Sequence, residues 1–131
     1  MALYGFLGES VKLLIFPECA LTGYPPYDIE KSSKIKFKQL ALLYDKIQTM
    51  AINYDIYIIT GTIVKENDKY YDSAGVFSPK CEKIVYHKRA LRGWYKDNFC
   101  VGNNSEIFNI EAIKRGIRIC FEVRFPEFFR E

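Results

Sequence analysis

Three side chains of this 131-residue chain have the types that a covalent hydrolysis needs. Cys120 lies at the end of an apolar run, and a thiol becomes a nucleophile once a base removes its proton. The oxyanion formed on attack then needs a positive charge or N–H donors. Glu18, which follows Phe16 and Pro17, has the chemistry of the base, and Lys88 has the charge for the oxyanion. Taken singly, each has a plainer reading: a small buried hydrophobe, a loop charge, a solvated lysine. Their common fit to one mechanism singles them out. His87, the single histidine, is a rival base in a Cys–His pair. Cys19 points away from Glu18 if the chain is extended there, and packs.

The elements that must hold these residues can be read from periodicity. Residues 11–16 form a short apolar strand stopped by Pro17, so Glu18 follows a strand end. Residues 21–28, with Gly23, Pro25 and Pro26, form a loop. Ser32 or Ser33 caps a helix running to Tyr54, whose apolar stripe is Leu40, Leu43, Ile47, Met50 and Tyr54. Residues 56–64 are continuously apolar and β-branched, as in a strand covered on both faces. A turn at 66–69 leads to strands at 70–77 and 83–88, the second ending at Lys88. Residues 89–105 form a long polar and aromatic loop, 106–110 a short strand, and 117–121 a buried strand that delivers Cys120. A helix begins at Arg124. The expected fold class is α/β, mainly one sheet with the helix packed on one face, and Glu18, Lys88 and Cys120 meeting at one sheet edge.

Composition removes several classes of function. At 49% hydrophobic and 27% charged residues, the chain is that of a folded globular domain. A net charge of +3, with basic and acidic residues interleaved, gives no reason to expect a nucleic-acid partner. No apolar run is long enough for a membrane span, and the opening residues 1–8 lack the basic start of a secretory signal. The cysteines stand at 19, 81, 100 and 120 with no CxxC pair, so neither a zinc site nor a disulfide framework is expected, and reduced thiols in the cytoplasm are. Asn103-Asn104-Ser105 reads as a polar loop.

In order along the chain, Leu14-Ile15-Phe16-Pro17-Glu18, Leu21-Thr22-Gly23-Tyr24, Tyr86-His87-Lys88 with Leu91, Phe99 and Gly102, and residues 116–127 (GIRICFEVRFPE) resemble the nitrilase, or carbon–nitrogen hydrolase, superfamily. The resemblance runs from about Lys12 to the last residue. It implies part of a four-layer α-β-β-α sandwich, with Glu18 as general base, Lys88 as oxyanion stabiliser and Cys120 as nucleophile. It implies hydrolysis of a non-peptide amide or nitrile through a thioester, without metal or cofactor, with a small amide or nitrile as the partner molecule and a second copy of the chain as a candidate partner.

Two departures from the family pattern stand out. The family's second glutamate, in the loop after the lysine, is replaced by the stretch Trp94-Tyr95-Lys96-Asp97-Asn98, where Asp97 is the acidic residue on hand and Lys96 has the wrong charge. Family domains also run to about 250 residues, so residues 1–131 read as an incomplete domain whose sheet lacks a covering layer on its inner face. The expected activity is therefore reduced or absent. The alternative is a non-catalytic remnant or partner-binding fragment. A thiol redox role for Cys120 is a third reading, without a resolving cysteine nearby in sequence. Tyr24-Pro25-Pro26 is similar to the loop of glutamine-using NAD synthetases, whose amidase domain belongs to the same superfamily.

Overall fold

Side chains of a strand alternate between its two faces, and that alternation organises the computed structural model, which describes residues 11–130. Four strands form one sheet in the order β1 (Leu13–Ile15), β2 (Tyr57–Glu66), β3 (Lys69–Phe77), β4 (Lys83–His87). β1 pairs parallel with β2, and the other neighbours pair antiparallel. The register puts Ile59, Val76 and Ile84 in one row across the sheet and Gly61, Ala74 and Tyr86 in the next. Ile58 and Phe77 point to the opposite face. The β2–β3 turn has only two residues, Asn67 and Asp68, at φ of 48° and 60°. That geometry follows the right-handed twist of the strands and suits Asn and Asp.

The long helix α1 (Phe37–Tyr54) covers the Ile58 and Phe77 face through Ile47 and Ala51, with Tyr44 donating to or accepting from Thr62 at 2.6 Å. Two expectations need correction here. Neither Ser32 nor Ser33 caps α1: they lie in a separate 3-10 turn (Ser32–Lys34), and Ile35 is extended between the two because its side chain packs beside Tyr95 and Phe99. The buried stripe is Leu40, Ile47 and Ala51, while Leu43 and Tyr54 are exposed. Small Ala51 lets the helix approach the sheet, which hydropathy alone does not register.

The opposite face is not bare. The hairpin β5 (Ile107–Ile110) and β6 (Ile113–Gly116) places Phe108 and Ile110 on it, and Ile117 and Ile119 complete a cluster with Ile59, Val76 and Tyr86. Residues 113–116 are the strand, whereas the expected strand at 117–121 is absent. Ile117 and Ile119 do alternate inward, but the Ile119 N–H is taken by the Glu122 side chain at 2.6 Å instead of a strand partner. The chain then turns into two 3-10 segments, Cys120–Arg124 and Pro126–Phe129, where a helix from Arg124 was expected. Within the loop at 89–105 a short helix, α2 (Trp94–Asn98), is formed. Large apolar side chains remain exposed at Ile15, Leu42, Val123 and Phe129. No helix among the described residues is long and apolar enough to cross a membrane. The apolar opening at 1–8 lies outside the described residues.

Candidate active site

Period-two alternation carries Ile84 and Tyr86 into the inner face and makes Lys88 the next inward residue, one step past β4. The Lys88 N–H still donates to the Asp72 carbonyl at 2.8 Å, so the ladder extends to it. On β3 the same alternation runs Val76, Ala74, Asp72. Asp72 and Lys88 therefore stand side by side at the end of an apolar face. Their side chains are almost entirely buried, and Lys88 Nζ donates to Asp72 Oδ2 at 3.1 Å.

Glu18 reaches the same point because β2 has a glycine there. A methyl group on Gly61 would strike the carbonyl oxygen of Pro17 and the amide of Cys19, and would lie 2.6 Å from the Cα of Glu18. The turn after β1 thus lies directly on β2, held by Gly61 N–H to Pro17 carbonyl at 3.1 Å and Leu21 N–H to Gly61 carbonyl at 3.1 Å. Glu18 Oε1 accepts from Lys88 Nζ at 2.5 Å. Gly102 does the same for the lysine: its N–H donates to the Lys88 carbonyl at 2.9 Å, and a side chain there would strike the His87 carbonyl.

Cys120 opens the 3-10 turn at a φ of 48°, a left-handed conformation that costs a non-glycine residue about 1 kcal/mol or more. The turn is held by Glu122, which is fully buried. Its Oε1 accepts from Tyr86 Oη at 2.7 Å, from Arg89 N–H at 2.5 Å and from Ala90 N–H at 3.3 Å, and its Oε2 accepts from Ile119 N–H at 2.6 Å. One carboxylate thus ties the residue before Cys120 to the two residues after Lys88. Neither Glu122 nor Asp72 was singled out from the sequence. Asp72 had a signal, an acid at an inward position of an apolar strand. Glu122 had none beyond its nearness to Cys120.

The electrostatics divide the acids. Burial pushes Glu18 up, but hydrogen bonds from Asp72 and Lys88 outweigh it and hold Glu18 below its ordinary value. Asp72, the more deeply buried, is pushed up to about 8 by burial and by Glu18. Burial opposes the charge on Lys88, yet the two acids hold its pKa above the ordinary lysine value. The Cys120 thiol is pushed up by partial burial and by the Glu18 carboxylate it interacts with, against the pull of Lys88. Cys19 is buried with a φ of 55°, so the chain is not extended there. Its thiol lies 3.8 Å from Asp72 Oδ1 and is pushed up by burial and by Asp72 and Glu18, which keeps it protonated.

Lys88 and Cys120 line a cavity of about 450 Å³ whose walls include Tyr24, Pro25, Arg92, Tyr95 and Arg124. Among the described residues, no acidic side chain lines it. Arg92 and Arg124 flank the Phe121 ring, with guanidinium carbons 5.7 and 5.8 Å from its centroid. Asp97 and Lys96 sit on the exposed side of α2 and do not line this cavity, and the second carboxylate beside Lys88, after that of Glu18, is Asp72 on β3. His87 points to the other sheet face, its Nδ1 2.7 Å from Ser73 Oγ and its Nε2 3.4 Å from Glu66, which removes it as a base for Cys120. All four cysteines are free, and among the described residues no group of three His, Cys, Asp or Glu side chains could hold a metal ion.

The fold is shared with known proteins. The chain is 26% identical to the omega-amidase NIT2-B of Xenopus laevis over 91% of its own length and 46% of that protein. It superposes with a TM-score of 0.78 and 20% identity on a variant of the amidase from Nesterenkonia sp. AN1 to whose active-site cysteine acrylamide has added, covering 91% of this chain and 48% of that one. It superposes with a TM-score of 0.76 and 23% identity on the glutamine-dependent NAD+ synthetase of Acinetobacter baumannii, covering 91% of this chain and 23% of that one. The chain spans about half the length of the curated relatives it matches. The carbon-nitrogen hydrolase family model matches residues 5–131, and the chain belongs to that family.

Proposed function

We propose that this chain is an amidase-type carbon–nitrogen hydrolase in which Cys120 is the nucleophile, Glu18 the general base and Lys88 the oxyanion stabiliser. The observation that carries the reading is that Glu18 pairs with the Lys88 ammonium and interacts with the Cys120 thiol, while Lys88 and Cys120, from two other segments, line one cavity. The Cys120 proton passes to Glu18 as sulfur attacks the amide carbonyl carbon, and the C=O electron pair moves to oxygen. An ammonium has three N–H donors. Lys88 uses one on Glu18 and one on Asp72, which leaves the third for the oxyanion. Collapse breaks the C–N bond, and the amine leaves with the proton from Glu18. Water then adds to the thioester, Glu18 takes its proton, and the acid and the thiol are released.

The two arginines, with no acid among the described residues of the cavity wall, favour an amide that carries a negative charge away from the scissile bond. A relative named as an omega-amidase supports the amide class. Turnover by this chain is low, because a misplacement of about 1 Å can cost on the order of a hundredfold and the cavity wall comes from three short stretches, residues 24–27, 88–95 and 120–124. Four free thiols fit a reducing compartment such as the cytoplasm. The test is ammonia release from neutral and carboxylate-bearing amides by the purified chain and by Cys120→Ala. Release that depends on Cys120 and favours the acids supports the reading. Release unchanged in the Cys120→Ala chain overturns it. The exposed apolar side chains at Ile15, Val123 and Phe129 favour a second reading, a partner-binding fragment, to which absence of any Cys120-dependent release would point.

A further inference from the structure

Two carboxylates touch one ammonium here, and all three groups are withdrawn from water. A buried cluster with two negative charges and one positive charge is expensive, and the excess is removed by binding one proton. We propose that Asp72 holds that proton at neutral pH and acts as the positioning residue of the site, donating it to Glu18 while accepting from Lys88, so that Glu18 is the ionised acid beside Cys120. The choice between the two acids follows from burial. The Asp72 side chain has no exposed surface, whereas that of Glu18 retains 14%. Asp72 Oδ2 accepts from Lys88 at 3.1 Å, and Oδ1 faces Cys19 at 3.8 Å.

The groups around Asp72 do not change this assignment. Glu18 and Cys19 face it from the turn after β1, and Lys88 from the end of β4. Tyr95 faces it from α2, with its hydroxyl 4.0 Å from Cys19 Sγ. From β2 its partner in register is the apolar Ile63. Among these described residues Lys88 brings the positive charge, and burial raises Cys19 and Tyr95 so that both stay neutral. Asp72 thereby serves two ends. It fixes the ammonium from the side away from the cavity, and it keeps the base in the charge state that can take a proton from a thiol. The role as a positioning residue rests on the hydrolase reading, but its proton is observable without turnover.

The test is infrared spectroscopy of the full chain, reading the C=O stretch of a protonated carboxyl group. At neutral pH the band is expected in the unaltered protein, is expected to shift when aspartate is carbon-13 labelled and not when glutamate is, and is expected to vanish as pH rises through about 8. Asp72→Asn removes it. Glu18→Gln also removes it, because one carboxylate facing one ammonium has no reason to hold a proton. A band that follows the glutamate label, a band that persists in Glu18→Gln, or no band at neutral pH overturns the proposal. If Asp72→Asn does not fold, the labelled native chain decides alone. Failure of amide hydrolysis with the band present removes the hydrolase reading and leaves the proton on Asp72.

Discussion

Replacing Glu122 with glutamine tests whether one buried carboxylate holds the nucleophile's turn to the lysine's loop. The carboxylate accepts four donors, three on Oε1 and one on Oε2. Glutamine keeps one acceptor oxygen for Tyr86, Arg89 and Ala90. Its other terminal atom becomes an N–H donor facing the Ile119 N–H, which loses its partner. A hydrogen bond to a charged group contributes about 1.5–3 kcal/mol, and a buried donor left alone costs a similar amount. The expected loss is about 2–3 kcal/mol. At roughly 3–6 °C per kcal/mol for a chain of this size, the melting temperature should fall by roughly 6–18 °C. Glu122→Leu strands all four donors, a cost of about 4–12 kcal/mol that approaches the whole stability of a domain. The opposing argument is that a buried charge can be replaced at no loss when its desolvation exceeds its attractions. Thermal melting decides between them, with iodoacetamide labelling of Cys120 as the local readout. An unchanged or raised melting temperature for Glu122→Gln, with unchanged labelling, would refute the reasoning.

Gly61→Ala should displace the Glu18 turn, cost about 1–3 kcal/mol in a melt and reduce any Cys120-dependent ammonia release, because the new methyl group meets backbone and not a movable side chain. Asp72 is raised from 3.8 to about 8, so the folded chain binds more protons than the unfolded one between those values, and melting temperature should fall as pH rises across that window, a slope that Asp72→Asn flattens. Glu18 is lowered, so its contribution is present above 4.5 and is lost as pH falls through its folded value; a plateau below 4.5 in melts of Glu18→Gln alone would agree. Arg92→Ala and Arg124→Ala should each raise KM for carboxylate-bearing amides by about tenfold, on the order of 1.4 kcal/mol, and leave neutral amides unchanged.

Much of this architecture is legible in the chain because strands announce both their existence and their faces. Residues 56–64 and 70–77 read as strands, and the alternation Ile84, Tyr86, Lys88 already places the lysine on the inner face. The same counting places Asp72 there, two residues from Ala74, though one acid in a mixed strand gives a weak signal until its neighbours are known. Glu122 was illegible for a different reason. Its donors come from residues 86, 89, 90 and 119, and no local pattern encodes that meeting. The same bonds explain the missing strand at 117–121, since a side chain captures the Ile119 amide that a ladder would need. The helix start shifted from Ser33 to Phe37 because tertiary packing of Ile35 overrode a local capping signal.

The most direct test of the central claim is the mass of the intact chain after incubation with an amide and an acid quench. The account predicts an added acyl group on Cys120, released by hydroxylamine as a thioester must be, absent in Cys120→Ala and slowed in Glu18→Gln. Acylation at another residue, or none on Cys120 from any amide while iodoacetamide still labels it, would contradict the account.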